Sequence, residues 1–400
     1  MEQKRIGIVG TGFIGRGQSI AIDMHPDYQL SYILTRRKIT ACQDHPFAGR
    51  LTNSVQALME HSDLVIECSG DVLYATEVVN KLMDAGIPVV TMNVEMQLVA
   101  GSYLATKGLI TEAEGDQPGS LAALHENVVK MGFKPLVYGN VKGFLDENPS
   151  RKSMMYWSRK QGLSLDMVTS FTDGTKVQME QAILANGLGA DLVRPGMLGL
   201  ETEQIEDVTN RLALSAKYRG KPISEYIVSR HAPPGVFIIA EHHQEQREYL
   251  RHCKMGDGPY YAIVTPYHLC HLEVIKTINR VFRGQGVLLG NGAAPVVSVA
   301  AIAKTDMSAG EWIDKAVGSF EFRGRAIRIE DDPDHVPISL LTQAVLKRRL
   351  RAGDVVRYDD VELPDSLALK FWHKTMAHRV RIYQHFAFLM GAVDLFLKGA

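Results

Sequence analysis

A glycine-rich turn near the start of the chain constrains its fold more than any other feature. The turn reads Gly10-Thr11-Gly12-Phe13-Ile14-Gly15; it follows an apolar run from Arg5 to Val9 and opens a stretch of helical spacing from Ile14 to Met24. In such a strand–turn–helix, Gly10 permits the tight turn, Gly12 lets a ligand approach the backbone, and Gly15 lets the helix pack closely. A glycine-rich connection without a ligand is the alternative. The free N–H groups that open the helix predict a site for the pyrophosphate of a dinucleotide.

The alternation of strand and helix continues after this turn. Apolar strands are predicted at Gln29 to Leu34, Asp63 to Cys68 and Pro88 to Met92, with a helix at Ala75 to Ala85. Repeated strand–helix–strand units imply right-handed crossovers and a doubly wound parallel sheet. We therefore predict an α/β fold that begins with a Rossmann domain for NAD(P) over residues 1–150.

The end of the second predicted strand indicates which dinucleotide the domain prefers. An NAD site usually places a carboxylate there, against the ribose 2′-hydroxyl. This chain instead has Arg36, Arg37 and Lys38. Guanidinium groups match the oxygens of a 2′-phosphate, so the sequence favours NADP(H). The alternative is that these three cations form a solvated loop.

Polar residues also follow the later strands of the predicted sheet. Ser69 and Gly70 come after one strand, and Asn93 and Glu95 come after the next. Ligands of open α/β sheets bind at the carboxyl ends of the strands. We therefore predict that Ser69 and Gly70 line the nicotinamide side of the cofactor site, and that Asn93 and Glu95 approach the nicotinamide or the substrate. Ordinary turn chemistry is the alternative.

A charged helix in the middle of the chain is the strongest catalytic candidate. Helical spacing runs from Met167 to Gly189, and within it Asp173, Lys176 and Glu180 are spaced so that they share one helix face. An ammonium group between two carboxylates can protonate the alkoxide that develops during hydride transfer, while the acids set its pKa or hold a metal. Exposed ion pairs on a helix surface are the alternative.

The residues beyond 150 predict a mixed α/β substrate domain, which we place at 151–303. Three apolar segments, at residues 231–240, 253–273 and 285–290, are separated by proline and glycine turns and are predicted as strands. The side chains suited to an acidic or phosphorylated substrate are Asn186, Arg230, His231, Lys254 and His268. No second pair of ligands accompanies the two histidines near residue 270, so the sequence assigns no metal ligands.

Composition excludes several other classes of protein. The 44 basic and 45 acidic residues nearly cancel, so no overall field recruits nucleic acid or an anionic membrane surface. No apolar run approaches the length of a membrane span, and no export signal is visible. The four cysteines lack the spacing of a zinc ribbon or a disulfide framework. We expect a cytoplasmic protein without nucleic-acid or membrane partners.

Five segments of the chain resemble one family of oxidoreductases. They read GTGFIGRG, VIECSGD, VVTMNVE, EGDQPG and FTDGTKVQMEQAILANG. Together they resemble the homoserine-dehydrogenase-like oxidoreductases that carry a C-terminal SAF-type segment, here residues 304–400. Within these, the chain is most similar to the 1-deoxy-D-xylulose-5-phosphate reductoisomerase-like (DRL) group. EGDQPG and FTDGTK are more specific to this group than the glycine-rich turn is.

The resemblance implies a reaction and assigns roles to residues. It implies NADPH-dependent conversion of 1-deoxy-D-xylulose 5-phosphate to 2-C-methyl-D-erythritol 4-phosphate in isoprenoid biosynthesis, assisted by a divalent cation such as Mg²⁺ or Mn²⁺. Lys176 matches the acid/base lysine of homoserine dehydrogenases, and Asp173 matches its carboxylate partner. Arg230, His231 and Lys254 would bind the phosphate.

Two other functions and the oligomeric state stay open at this point. The first alternative is a homoserine-dehydrogenase-like, sugar-acid or polyol dehydrogenase that transfers hydride without rearranging carbon. The second is a non-catalytic dinucleotide sensor. Apolar residues around Phe386 to Met390 favour a homodimer or a higher homo-oligomer.

Overall fold

The computed structural model describes residues 3–398, without the side chains of residue 383 and residues 385–398. The apolar face around Phe386 to Met390, on which the expected homo-oligomer depends, lies outside the described side chains. No helix in the described part of the chain combines the length and the apolar character needed to cross a membrane.

The first sheet confirms the predicted doubly wound fold. Its six strands are all parallel and lie in the order β3-β2-β1-β4-β5-β6. The strands are β1 Lys4–Val9, β2 Tyr28–Leu34, β3 Leu51–Thr52, β4 Leu64–Glu67, β5 Val89–Thr91 and β6 Ile110–Glu112. The strand order reverses between β1 and β4, and a ligand of such a sheet binds at that point, beyond the carboxyl ends of the strands.

Helices connect these strands and cover the sheet. They are α1 Phe13–Asp23, α2 Val55–Glu60, α3 Val72–Asp84, α4 Val94–Met96, α5 Ser102–Leu104 and α6 Gln117–Lys130. A π-helical turn, Gln97–Gly101, joins α4 to α5. Helix α3 starts three residues before its predicted beginning, because the side chain of Asp71 accepts a hydrogen bond from the backbone N–H of Tyr74 and caps the helix there.

The second sheet is mixed and has five strands in the order β11-β10-β7-β9-β8. The strands are β7 Lys134–Lys142, β8 Leu200–Glu201, β9 Ile223–Val228, β10 Val236–Glu241 and β11 Tyr260–Thr265. Strand β9 runs parallel to β7 and β8, whereas β10 is antiparallel to β7 and β11. Strand β7 precedes the boundary predicted at residue 150 but pairs entirely within this second sheet.

The helices of the middle region correct one prediction. They are α7 Arg151–Gln161, α8 Leu165–Thr172, α9 Thr175–Leu188, α10 Ile205–Arg219, α11 Arg247–His252 and α12 Cys270–Phe282. The single helix predicted from Met167 to Gly189 is wrong. It is two helices, because Gly174 adopts a left-handed conformation with φ of +82° and ends the helical path between α8 and α9.

Two predicted strands are also corrected. Within residues 253–273 only the centre, β11, is a strand, and the following residues open helix α12. Residues 285–290 form an irregular segment, since Gly284 and Gly286 both turn the chain with positive φ. This segment lies along the edge strand β6, where the backbone N–H of Glu112 donates to the carbonyl of Leu289.

The remaining chain forms two small antiparallel sheets and a long helix. The strands are β12 Val297–Ala303, β13 Trp312–Lys315, β14 Phe322–Arg328, β15 Thr342–Leu346 and β16 Val361–Glu362, and helix α13 is Leu367–Lys398. Strand β12 pairs with β14, and β15 pairs with β13 and β16. Helix α9 packs between the second sheet and the β12–β14 pair, which accounts for its almost complete burial. The SAF-type assignment of residues 304–400 stays a prediction.

Candidate active site

The glycine-rich turn has the geometry that a dinucleotide requires. Gly10 has φ of +123°, and a Cβ on Gly15 would lie 2.3 Å from the carbonyl oxygen of Gly10. A Cβ on Gly12 would meet nothing within 4 Å, so the backbone is open where a phosphate would approach. Helix α1 begins after Gly12 with no side-chain cap, which leaves its first N–H groups to an anion. The residues present therefore fit a bound pyrophosphate.

Of the two arginines after β2, Arg37 contacts this turn and Arg36 contacts the start of α3. The guanidinium of Arg37 donates to the carbonyl oxygen of Thr11 at 3.1 Å and to its hydroxyl at 2.6 Å. Arg36 pairs with Asp71 at 2.7 Å and lies over the ring of Tyr74, 4.6 Å from its centroid. The side chain of Arg36 is 56% exposed, so its guanidinium is accessible to a ligand.

Polar groups gather at the carboxyl ends of β4 and β5. Glu67 is fully buried and accepts hydrogen bonds from the N–H and hydroxyl of Ser69 and from the hydroxyl of Thr91. Burial raises the pKa of this carboxyl group, and those hydrogen bonds oppose the rise. Asn93 caps α4 through its Oδ1, and its side chain also bonds to Glu67, which further opposes the rise of that pKa. The predicted residues Ser69, Asn93 and Glu95 therefore lie along one edge of the first sheet.

Lys176 lies in the first turn of α9 and carries its charge among carboxylates. Burial alone would lower the pKa of this ammonium group, but Asp116, Glu180, Glu95 and Glu112 together outweigh burial and raise it. Among the described residues, the ammonium forms no hydrogen bond and no close ion pair. A charged donor with unused hydrogen-bonding capacity is what protonation of a substrate oxygen needs.

Glu180 is held in place by residues of β7. Its Oε2 accepts a hydrogen bond from Asn140 Nδ2 and another from Lys142 Nζ, each at 2.9 Å. Gln117 closes the arrangement, because its Nε2 donates to Asn140 Oδ1 at 2.9 Å and its Oε1 accepts from Lys142. Asn140 and Lys142 are two positions apart on one strand and so point to the same face of the second sheet.

The segment Glu114–Gly119, a bare turn by composition, forms one wall of the site. A Cβ on Gly119 would lie 1.9 Å from the carbonyl oxygen of Ala113, so only glycine fits. Asp116 caps α6 through Oδ1, while its Oδ2 is buried without a partner among the described residues. Burial raises the pKa of Asp116, opposed by the positive charge of Lys176 and supported by the negative charge of Glu180.

Glu112, at the carboxyl end of β6, is the most unusual group of the site. Its side chain is fully buried, and neither carboxyl oxygen has a hydrogen-bond partner among the described residues. Burial holds the pKa of Glu112 well above its ordinary value, and the nearby charge of Asp116 adds to the rise.

Five residues of this site are not among the predicted site residues, although Asp116 and Gln117 lie within the EGDQPG segment that carries the family resemblance. The five are Glu112, Asp116, Gln117, Asn140 and Lys142. For Glu112 the available signal was its position at the end of an apolar strand, where Asn93 and Glu95 had been recognised after the preceding strand. For Asn140 and Lys142 the signal was their alternation along β7.

Asp173 does not lie beside Lys176 in the structure. Its carboxylate pairs with Lys304 at 2.6 Å and accepts a hydrogen bond from the N–H of Thr175 at 2.9 Å. The prediction that Asp173 shares a helix face with Lys176 and Glu180 is therefore wrong, because the break at Gly174 removes Asp173 from α9. Lys176 and Glu180 do share α9, and the acidic partners of Lys176 come from other elements.

Asn186 has a structural position. Its Oδ1 accepts from the N–H groups of Val296 and Val297, and its Nδ2 donates to Asn291 Oδ1 and to the carbonyl of Val297. Both ends of the amide are therefore used to tie α9 to the segment before β12. This corrects its prediction as a substrate contact.

The residues predicted to bind an anion lie at three different places in the structure. Arg230 and His231 follow β9 and are exposed, at the sheet end where Ser229 donates its N–H to the carbonyl of Lys142. Their side chains make no hydrogen bond or ion pair with any residue that the structure describes. His268 is close enough to Asp116 to lower the pKa of that carboxyl group, against the larger effect of burial.

Lys254 lies at the other end of the second sheet. The register of β10 and β11 runs from Val236↔Thr265 to Glu241↔Tyr260, and Lys254 precedes the Tyr260 end. Its predicted contact with the same anion as Arg230 is therefore wrong, because a whole strand separates the two residues.

A protein-held divalent cation does not fit this arrangement. Within residues 3–398 no group of three or more histidine, cysteine, aspartate or glutamate side chains is placed to hold a metal ion.

Two regions of the chain match models of known protein families. Residues 10–108 match the homoserine dehydrogenase NAD-binding domain, and residues 115–274 match the catalytic domain of the oxidoreductase DRL. No curated protein matches the chain.

The solved structures that resemble this chain include dehydrogenases of low sequence identity. A probable dehydrogenase from Thermotoga maritima is 16% identical, with 72% of this chain and 91% of that chain covered and a TM-score of 0.42. UDP-N-acetylglucosamine 3-dehydrogenase GnnA from Acidithiobacillus ferrooxidans is 13% identical, with 73% and 93% covered and a TM-score of 0.43. Myo-inositol 2-dehydrogenase from Lactobacillus plantarum is 13% identical, with 71% and 90% covered and a TM-score of 0.39.

The two domain matches agree with the geometry described above. The glycine-rich turn and the open N-terminus of α1 lie in the matched NAD-binding region, and Lys176 with its carboxylates lies largely in the matched catalytic region. The chain therefore joins a nucleotide-binding region that matches homoserine dehydrogenase to a catalytic region that matches the oxidoreductase DRL, and it is an NAD(P)-dependent oxidoreductase.

Proposed function

We propose that this oxidoreductase uses NADPH to reduce the carbonyl group of a small phosphorylated or acidic polyol, with Lys176 as the proton donor. The observation that carries the proposal is the ammonium of Lys176, which bonds to none of the described residues and lies among four acidic side chains, beside the sheet edge where a dinucleotide would bind. Glu180 shares helix α9 with Lys176. Hydrogen bonds from Asn140 and Lys142 hold its carboxylate in place near that lysine.

Different residues would bind the substrate and protonate it in such a reaction. Bound NADPH supplies the hydride. Lys176 donates a proton to the carbonyl oxygen as negative charge develops on it, and the surrounding carboxylates keep the lysine protonated until that moment. Arg230 and His231, exposed and without ion-pair partners among the described residues, are positioned to bind the anionic end of the substrate.

Selection of NADPH rests on Arg36 and Arg37. Arg37 is fixed to the glycine-rich turn through Thr11, and Arg36 presents an accessible guanidinium at the end of β2. No carboxylate occupies residues 35–38, so nothing there favours a ribose 2′-hydroxyl over a 2′-phosphate.

The resemblance suggests 1-deoxy-D-xylulose 5-phosphate as the first substrate to test. Its conversion to 2-C-methyl-D-erythritol 4-phosphate, a step of isoprenoid biosynthesis, combines a carbon rearrangement with hydride transfer. The second candidate is hydride transfer alone, as in a homoserine-dehydrogenase-like or polyol dehydrogenase. The lack of a metal-ligand cluster in the described part of the chain favours this second candidate, because the rearrangement is assisted by a divalent cation.

The deciding experiment measures NADPH oxidation by the purified protein with 1-deoxy-D-xylulose 5-phosphate. The assay is run with and without Mn²⁺ or Mg²⁺, and with NADH in parallel. A branched polyol phosphate as product establishes the reductoisomerase, whereas a reduced product with an unchanged carbon skeleton establishes the simple dehydrogenase. Tight NADPH binding without turnover of this ketose or of other aldehydes and sugar acids would support a non-catalytic sensor and contradict the proposal.

A further inference from the structure

A lysine from the C-terminal strands reaches the edge of the dinucleotide site. Strand β13 ends at Lys315, and its Nζ lies 3.4 Å from the carbonyl oxygen of Gly70. Gly70 belongs to the turn after β4, next to the point where the strand order reverses. Lys315 itself lies outside both regions matched to known domains.

The C-terminal strands are fixed to the helix that carries Lys176. The buried ion pair of Lys304 with Asp173 fastens the end of β12 to the start of α9. The N–H of Gly324 donates to the hydroxyl of Thr175, and the N–H of Ala326 donates to Gln178 Oε1, each at 2.8 Å. The two strands that precede and follow β13 in the chain, β12 and β14, are therefore fixed relative to α9, and Lys315 lies in the segment between them.

The charges around Lys315 explain why a cation is useful there. Its pKa is raised: burial alone would lower it, and the carboxylates of Glu95, Asp166 and Asp71 outweigh burial. The closest of these is Asp166, whose Oδ2 lies 3.6 Å from the ammonium. Asp71 also pairs with Arg36, so the same carboxylate lies between Lys315 and the residue expected to select NADPH.

The ammonium of Lys315 is not sealed within the protein. A cavity of about 610 Å³ opens beside it, with Arg151, Asp166, Trp312 and Phe320 among its walls. The side chain of Lys315 is 33% exposed, so a ligand can approach its ammonium.

We propose that Lys315 is a cofactor-positioning residue through which the C-terminal segment completes the dinucleotide cleft. It holds the Ser69–Gly70 turn through the carbonyl of Gly70 and offsets the negative charge of Asp71 and Glu95 beside that turn. The inference depends on the nicotinamide dinucleotide that this family binds and not on the substrate proposed above.

The test is a fluorescence titration of NADPH with Lys315→Met, Lys315→Gln and the control Lys347→Met. Lys347 is exposed on the turn after β15, far along the same segment from Lys315. We expect the Kd for NADPH to rise about tenfold in Lys315→Met at low salt, and less at high salt, where screening weakens the charge effect. Lys315→Gln keeps a donor for Gly70 without the charge, and we expect a smaller rise. Lys347→Met should match the unmodified protein.

An unchanged Kd for NADPH in Lys315→Met, relative to Lys347→Met, overturns the inference. If Lys315→Met fails to fold, as judged by thermal unfolding, Lys315→Gln provides the same comparison. Loss of turnover with unchanged NADPH binding also overturns it, because Lys315 would then act on the substrate. NADPH binding is measured without substrate, so failure of the substrate assignment would leave this result standing.

Discussion

Lys176 owes its charge to groups from three elements besides its own helix. Glu95 follows β5, Glu112 ends β6, and Asp116 caps α6, while Glu180 lies one turn along α9. In a partly desolvated position an isolated ammonium would tend to lose its proton, and the carboxylates reverse that tendency. The protonation state of Lys176 is therefore set by its surroundings, as the proposed role of proton donor requires.

Replacing Lys176 by methionine should abolish turnover and spare cofactor binding. Methionine keeps the length of the side chain and removes the proton donor, so we expect kcat to fall by about 100- to 10,000-fold. The Kd for NADPH should stay within about twofold, because Lys176 is not placed at the phosphate-binding turn. Lys152→Met, at an exposed position of α7, is the matched control. Equal turnover in both variants would remove Lys176 from the mechanism.

Glu112→Gln should change how stability depends on pH. The folded protein holds a proton on Glu112 to a higher pH than the unfolded chain does, because burial raises its pKa well above 4.5. The contribution of this residue to stability is therefore complete below its ordinary pKa and is lost as pH rises towards the folded value. Glutamine cannot ionise, so the advantage of the variant should grow with pH by up to about 1.4 kcal/mol per unit.

Urea unfolding of Glu112→Gln at a series of pH values measures this difference directly. Glu77→Gln, at an exposed position of α3, is the control and should follow the unmodified protein throughout. If the unfolding free energies of Glu112→Gln and the unmodified protein differ by the same amount from pH about 5 to about 8, then Glu112 is ionised in the folded protein, contrary to our assignment.

At the scale of elements, the break between α8 and α9 decides which charged residues meet. Gly174 turns the chain after Asp173, so Asp173 faces Lys304 while α9 starts afresh with Lys176 in its first turn. A continuous helix would carry Asp173 onto the face of Lys176 instead. One residue with positive φ therefore separates the Asp173–Lys304 ion pair from the proposed proton donor, Lys176.

Gly174→Ala should destabilise the protein by about 1–2 kcal/mol, because an L-residue resists the left-handed conformation. Space is not the cause, since the nearest atom to an added Cβ is Leu145 Cδ1 at 4.0 Å. Gly49→Ala, where no atom lies within 4 Å and φ is not positive, is the control and should change stability little. Chemical unfolding measures both, and equal stabilities would show that no strain is stored at Gly174.

At the scale of the whole molecule, helix α9 contacts elements of the first domain, of the second sheet and of the C-terminal strands. It packs against strands of the second sheet and against β12 and β14, and its first turns face the carboxyl edge of the first sheet through Lys176. The Asp173–Lys304 pair adds a buried connection between this helix region and the C-terminal strands. The position of the C-terminal segment is thereby coupled to that of the active site.

Asp173→Leu should destabilise the protein by about 3–5 kcal/mol, because Lys304 would be left buried without its ion-pair partner. The double variant Asp173→Leu/Lys304→Met removes both charges and should recover most of that loss. Chemical unfolding of the single and double variants measures the recovery. A double variant less stable than Asp173→Leu would mean that Lys304 contributes through its contact with the Ser319 carbonyl rather than through Asp173.

The sequence by itself determined the local features of this protein. The glycine-rich turn, the parallel strands and the helix with Lys176 and Glu180 follow from residue type and spacing within a few positions, and the structure contains each of them. Phosphate-binding turns and strand patterns are readable in this way because their physics is local: backbone conformation, free N–H groups and alternation of burial.

Only the tertiary structure decided which groups surround Lys176. Glu95, Glu112 and Asp116 lie more than 50 positions away along the chain, and the partner of Asp173 lies 131 positions away. The tertiary structure also decided that Asn186 ties α9 to β12, and that Lys254 lies at the far end of the second sheet. Charge and pKa depend on burial and on neighbours in space, and those are set when distant segments pack together.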